Sequence, residues 1–210
     1  MKKLIACVSF FVLLFCYSPA IFADEVHEAA KSGDLAKLRS LLDTNPALLK
    51  VQDDIGKTPL HWAVGKGQTE AVKLLVHTYH ADPNILNKNG GTPLHVAASQ
   101  AQPEAARILI AHGADVNART RNDSTPLHFA AFKGQKPGHI EAAKILIEHG
   151  ADVNAKIDTG ATPLSMAMYR QNTEMIALLK QHGAKQGTRQ PGMGQGGKSS
   201  GSGNYYLDDY

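Results

Sequence analysis

Residues Thr92 to Ala97 read TPLHVA, and near-copies begin at Thr58 (TPLHWA), Thr125 (TPLHFA) and Thr162 (TPLSMA), spaced by 34, 33 and 37 residues. A second motif keeps step with the first. HGADVNA starts at His112 and again at His149, HGAK starts at His182, and a degenerate HADPN starts at His80. Two motifs recurring in phase describe a tandem array of one small unit, which cannot bury a core alone and must stack on its neighbours.

Each motif residue has a physical task. Threonine suits a helix N-cap, where its hydroxyl accepts a backbone N–H of the first turn. Proline follows at the first helical position, where a missing N–H costs nothing. The leucine points inward, and the small residues Ala63, Ala97 with Ala98, and Ala130 with Ala131 let adjacent helices approach closely. A second helix follows in EAARILIAHG and EAAKILIEHG, with apolar residues at helical spacing. Gly113, Gly150 and Gly183 stand where a helix ends in a left-handed turn.

With these motifs the chain resembles the ankyrin-repeat family. The resemblance implies an all-α repeat solenoid of about five stacked helix-turn-helix units with short β-hairpin loops. Residues 24–184 form that domain: a cap at 25–50, internal repeats at about 54–87, 88–120 and 121–157, and a terminal repeat at 158–184. The cap lacks the TPLH motif but keeps VHEAAKSGDLAKLRSLL, two short helices around Gly33. In the terminal repeat Ser165 replaces the histidine, and polar Gln181 and Lys185 suit an end unit. Three departures stand out: four extra residues within KGQKPGHIE, one extra residue near HTYHADPN with His80 in place of glycine, and Asp123 where glycine is usual.

The N-terminus carries Lys2 and Lys3, an apolar run over 4–17, a Ser18-Pro19 break and small residues, the layout of a secretory signal peptide. Residues 1–23 are expected to be removed by cleavage after Ala23, with Ala20 as the alternative, which predicts a periplasmic or secreted protein with no membrane association afterwards. Both cysteines, Cys7 and Cys16, lie in that segment, so the mature chain would hold no disulfide or thiolate. The whole chain carries 22 basic and 19 acidic residues; removing Lys2 and Lys3 leaves 20 against 19. That balance argues against a nucleic-acid partner.

Residues 192–199, GMGQGGKS, match a phosphate-loop pattern in spelling alone. A working loop joins a buried strand to a helix, whereas here the flanks AKQGTRQP and SGSGNYY are polar or helix-averse. Residues 185–210 read as a flexible Gly/Ser-rich tail. Its end, NYYLDDY at 204–210, has the character of a linear peptide that docks on a partner or in the chain's own groove.

Ten histidines raise a metal hypothesis. Stacked helices lie about 8–10 Å apart, while zinc needs each nitrogen at about 2 Å, so equivalent histidines cannot share an ion. His77 and His80 lie on one helical face but lack a third ligand. The resemblance gives His61, His95 and His128 a structural hydrogen-bonding role. No metal, cofactor or catalytic residue is expected, because the serines and carboxylates sit at repeat, capping or loop positions.

The resemblance also implies protein binding through a concave surface of hairpin tips and first helices. The residues just after each TPLHxAA segment supply Lys66, Phe132, Lys133, Tyr169 and Arg170, and the hairpins add Ile55, Lys57 and Arg121. Phe132 and Tyr169 read as an aromatic pair in adjacent repeats flanked by cations, a composition favoured at interface hot spots; packing within the stack is the alternative. The expected function is an exported, monomeric, non-enzymatic scaffold or regulator whose protein partner offers an acidic or aromatic segment. The alternatives are an effector or toxin acting outside the cell and, less favoured, a hydrolase.

Overall fold

A computed structural model describes residues 19–187. Its helices alternate in two layers. The first layer comprises α1 (Pro19–Ser32), α3 (Pro59–Gly65), α5 (Pro93–Ser99), α7 (Pro126–Lys133) and α9 (Pro163–Tyr169). The second comprises α2 (Leu35–Thr44), α4 (Thr69–Lys73), α6 (Pro103–Ala111), α8 (Pro137–Glu148) and α10 (Thr173–Gln181). Each helix packs on its equivalents in the flanking units and on its own partner, giving the expected five-unit, all-helical stack. Among the described residues no helix is long and apolar enough to cross a membrane. The apolar run at 4–17, both cysteines, and the tail beyond residue 187 lie outside the described residues. Helix α1 runs unbroken past Ala20 and Ala23.

The core is continuous because the motif repeats. Leu60, Leu94, Leu127 and Leu164 of the first helices meet Leu75, Leu109, Leu146 and Leu179 of the second, all nearly or fully buried. Ala29, Ala30, Ala63, Ala97, Ala98, Ala130, Ala131 and Ala167 are buried between them, where a larger side chain would force neighbouring units apart.

The TPLH segment acts as a double lock. In α3, α5 and α7 the threonine and histidine form a capping box at the helix start. The imidazole Nδ1 accepts the threonine N–H, and Nε2–H donates to a carbonyl of the next unit: His61 to Gly91 at 3.1 Å, His95 to Ser124 at 3.0 Å, His128 to Ala161 at 3.4 Å. His27 makes the same kind of bond, to Val51 O at 3.1 Å. Asp24-Glu25-Val26-His27-Glu28-Ala29-Ala30 is therefore a cryptic copy of the motif in a cap whose sequence lacks TPLH. In α9 Ser165 takes over: its Oγ and that of Thr162 accept the Gly187 N–H, and Thr162 donates to Lys185 O. The first residues of the expected tail thus pack on the last unit.

The hairpin tips close without forming strands among the described residues. In each tip the first residue accepts from the residue three positions on and donates to the residue four positions on, as in Asp53 with Gly56 and Lys57. The helix cap follows immediately, so no chain is left to extend a ladder. One backbone bond links each tip to the next, from Lys88 to Ile55, Arg121 to Asn89 and Asp158 to Asn122. Asn84, Asn117 and Asn154 add a second set of links. Asn117, for example, donates to Gly150 O at 3.0 Å and accepts from Asp152 N–H at 2.8 Å.

Each departure from the repeat has a definite structural outcome. The extra residue near HTYHADPN is absorbed inside the second helix, which passes from α4 into a π-helical turn at Leu74–Thr78. His80 then takes φ 54° where Gly113, Gly150 and Gly183 lie at 86°, 88° and 79°. Asp123 takes φ 61° at the tip position held elsewhere by Gly56, Gly90 and Gly160. The four-residue insertion extends α8 to 12 residues and seats its start on the preceding unit.

Candidate protein-binding face

The histidines are committed to structure. Burial drives the imidazoles of His61, His95 and His128 down from 6.5 to about 4, and the carbonyls they bond do not restore them. They are neutral donor–acceptor bridges at ordinary pH. His112 and His149 donate from Nδ1 to the carbonyls of Ile108 and Ile145, and His112 Nε2 lies 3.2 Å from His77 Nδ1. Among the described residues no three His, Cys, Asp or Glu side chains gather as a metal site.

The first-helix and hairpin face carries two clusters that combine aromatic rings with cations. The first centres on Trp62, whose ring has the ammonium groups of Lys31, Lys57 and Lys66 at 4.2, 4.9 and 5.9 Å from its centroid. Its indole N–H donates to Asp53 Oδ2 at 2.8 Å. Burial pushes the Asp53 carboxyl up, but the Lys57 N–H, the indole and the Ile55 N–H outweigh it and hold it below its usual value. Asp53 thus ties the ring to the first hairpin tip. The equivalent side chains Val96, Phe129 and Met166 are buried, whereas Trp62 is only partly so.

The second cluster lies across the third internal unit and the terminal repeat. Phe132 and Tyr169 stack in parallel at 6.4 Å between centroids, and the Arg170 guanidinium lies 5.0 Å from the Phe132 ring. Of the two readings, packing within the stack holds for Phe132, which is 6% exposed against 51% for Tyr169. The next unit covers Phe132, leaving Tyr169 as the accessible ring.

The eight residues expected to bind a partner therefore separate. Lys57 and Lys66 meet at Trp62, and Phe132, Lys133, Tyr169 and Arg170 occupy the second region. Ile55 is 47% exposed at the first tip, and Arg121 is exposed two tips further along. Trp62, Lys136 and His139 join the face without having been expected there, whereas Lys31 holds the cap's copy of the position that Gly65 holds in the next unit. Trp62 was legible as the one unusual residue at the position after the motif histidine. Lys136 and His139 were legible as Lys-Pro-Gly-His, a second x-Pro-x-His cap: Lys136 N–H donates to His139 Nδ1, and His139 Nε2–H donates to Ser99 O at 3.1 Å.

Comparison with known families finds one model, ankyrin repeats in three copies, matching residues 26–120, 72–157 and 118–190. No curated protein matches the chain. Proteins built from these repeats are generally protein-interaction scaffolds rather than enzymes. With matches reaching from residue 26 to residue 190, the chain belongs to the ankyrin-repeat family.

Proposed function

We propose that this protein is an exported, non-enzymatic scaffold or regulator that holds a protein partner on the groove formed by its hairpin tips and first helices. The observation that carries this reading is the pair of clusters mounted on a cross-linked stack: Trp62 among three lysines, and Tyr169 beside Arg170. Trp, Tyr and Arg are the residue types that dominate interface energetics. A face already locked by inter-unit hydrogen bonds loses little freedom on binding. The partner is accordingly an acidic segment with an apolar anchor. Export rests on the lysines and apolar run that open the chain. Cleavage after Ala23 would spare Val26, His27, Ala29 and Ala30, the buried residues of α1.

The test is affinity capture from a periplasmic extract with the parent chain and a Lys66→Ser, Tyr169→Ser double variant, which spares buried Phe132. Retention of a protein by the parent alone is expected. Equal retention by both baits would remove the site from this face. Fractionation with N-terminal sequencing checks export; an intact N-terminus on cytoplasmic protein would overturn it, and recovery from the culture supernatant would replace a periplasmic role with one outside the cell.

A further inference from the structure

We infer that the insertion in the third internal unit builds an oxyanion site that receives an aspartate or glutamate side chain of the bound protein, an inference that rests on the protein-binding reading above. A cleft of about 280 Å³ lies where the insertion meets the neighbouring units, lined by Ser99, Gln100, Lys133, Lys136, His139 and Arg170 among others. No Asp or Glu lines it, whereas Glu174 lines the adjoining cleft on the other side of the loop. Arg170 Nε is buried without a hydrogen-bond partner. A buried guanidinium N–H without an acceptor is costly, and a carboxylate supplies the planar pair of acceptors that such a donor fits best.

The insertion creates this arrangement rather than merely tolerating it. In the other internal units the second helix starts at Thr69 or Pro103, without the extra turn that contributes Lys136 and His139. His139 is a positioning residue. It is buried and held neutral, its Nδ1 takes the Lys136 N–H at 3.2 Å, and its Nε2–H anchors to Ser99 O. Gly138 seats the loop on the preceding unit, since a Cβ there would fall 2.5 Å from Ala101 O. The parallel Phe132 and Tyr169 rings fix the other wall by supporting Arg170. The cleft suits a carboxylate rather than a second ring, and its lining residue Arg170 directly follows exposed Tyr169 in the chain. Adjacent apolar and acidic residues of one peptide would therefore engage ring and cleft together.

The experiment is an NMR titration of the uniformly ¹⁵N-labelled full chain with acetyl-Gly-Tyr-Asp-Asp-Gly-amide, with its Asn-for-Asp counterpart, and with inorganic phosphate. The Asp peptide should bind about tenfold more tightly than the Asn peptide, the scale of one charge-assisted hydrogen bond, and should move the amides of Ser99, Gln100 and Lys136. Lys136→Gln, at an exposed position, and Arg170→Gln should each remove most of that preference, with circular dichroism unchanged. Equal affinity for the two peptides overturns the proposal, as does a preference that survives both substitutions. Phosphate binding more tightly than the Asp peptide overturns the assignment to a carboxylate. Capture that depends on Lys66 and Tyr169 can fail while the Asp preference stands, and the reverse, so the two readings fail separately.

Discussion

Mild acid should unfold this stack well before its carboxylates titrate, because neutral imidazoles hold its units together. His61, His95 and His128 have folded-state values near 4 against 6.5 in the unfolded chain. The shift is downward, so the unfolded state takes up protons first. The stabilisation is complete above about pH 6.5 and declines as pH falls toward 4. At pH 5 each histidine forfeits about 2 kcal/mol, and the three together about 6 kcal/mol, comparable with the whole stability of a typical domain. His139, also lowered by burial, acts in the same direction. Urea unfolding followed by far-UV circular dichroism and Trp62 fluorescence at pH 7.5 and 5.0 measures the effect. With a slope of about 2 kcal/mol per molar urea, the midpoint should drop by about 3 M. His95→Gln should reduce the pH dependence by roughly a third while lowering stability at pH 7.5. A midpoint that moves by less than about 1 M between these pH values refutes the claim that buried neutral histidines lock the units.

Phe132→Ala should cost about 3 kcal/mol in thermal or urea unfolding, as loss of a buried ring does, while Tyr169→Ala should cost less than about 1 kcal/mol; equal costs would contradict the burial difference between the rings. His80→Gly should raise stability by about 1 kcal/mol by relieving a left-handed backbone at an exposed residue, seen as a higher calorimetric melting temperature. Gly138→Ala should destabilise by roughly 1–3 kcal/mol, because the added methyl meets the Ala101 carbonyl, and chemical denaturation would show it. Asn117→Ala should cost about 1–2 kcal/mol and speed hydrogen exchange at Asp152 N–H, the proton Asn117 accepts.

How far the residues alone carried the reading follows from the range of the interactions involved. Thr-Pro-Leu-His is a local cap, legible because every bond within it spans three or four residues, and the glycine after each second helix is a local backbone requirement. The extra residue near His80 was visible as a length difference. Its absorption by a π turn was not, because inward-facing Leu74, Leu75 and Val76 had to keep their contacts on both sides. The cap's Asp24–Ala30 copy was obscured by its residue types, and only the bond from His27 to Val51 reveals the equivalence.

The candidate face divides in the same way. Spacing alone determined that Lys66, Lys133 and Arg170 share one position of the repeat and Phe132 and Tyr169 another, and therefore one face of the array. Whether a side chain on that face is open or covered depends on its neighbour one unit away, roughly 30 to 40 residues distant in sequence. Phe132 is buried because Tyr169 and Arg170 lie over it, Trp62 receives Lys31 from the preceding unit beside its own unit's Lys57 and Lys66, and the insertion's Lys136 meets Arg170 across a cleft. A repeat encodes its own fold within about one unit's length, so fold and register are readable from the chain. Exposure, partnering and the charge of a cleft arise between units, and only the stacked tertiary structure decides them.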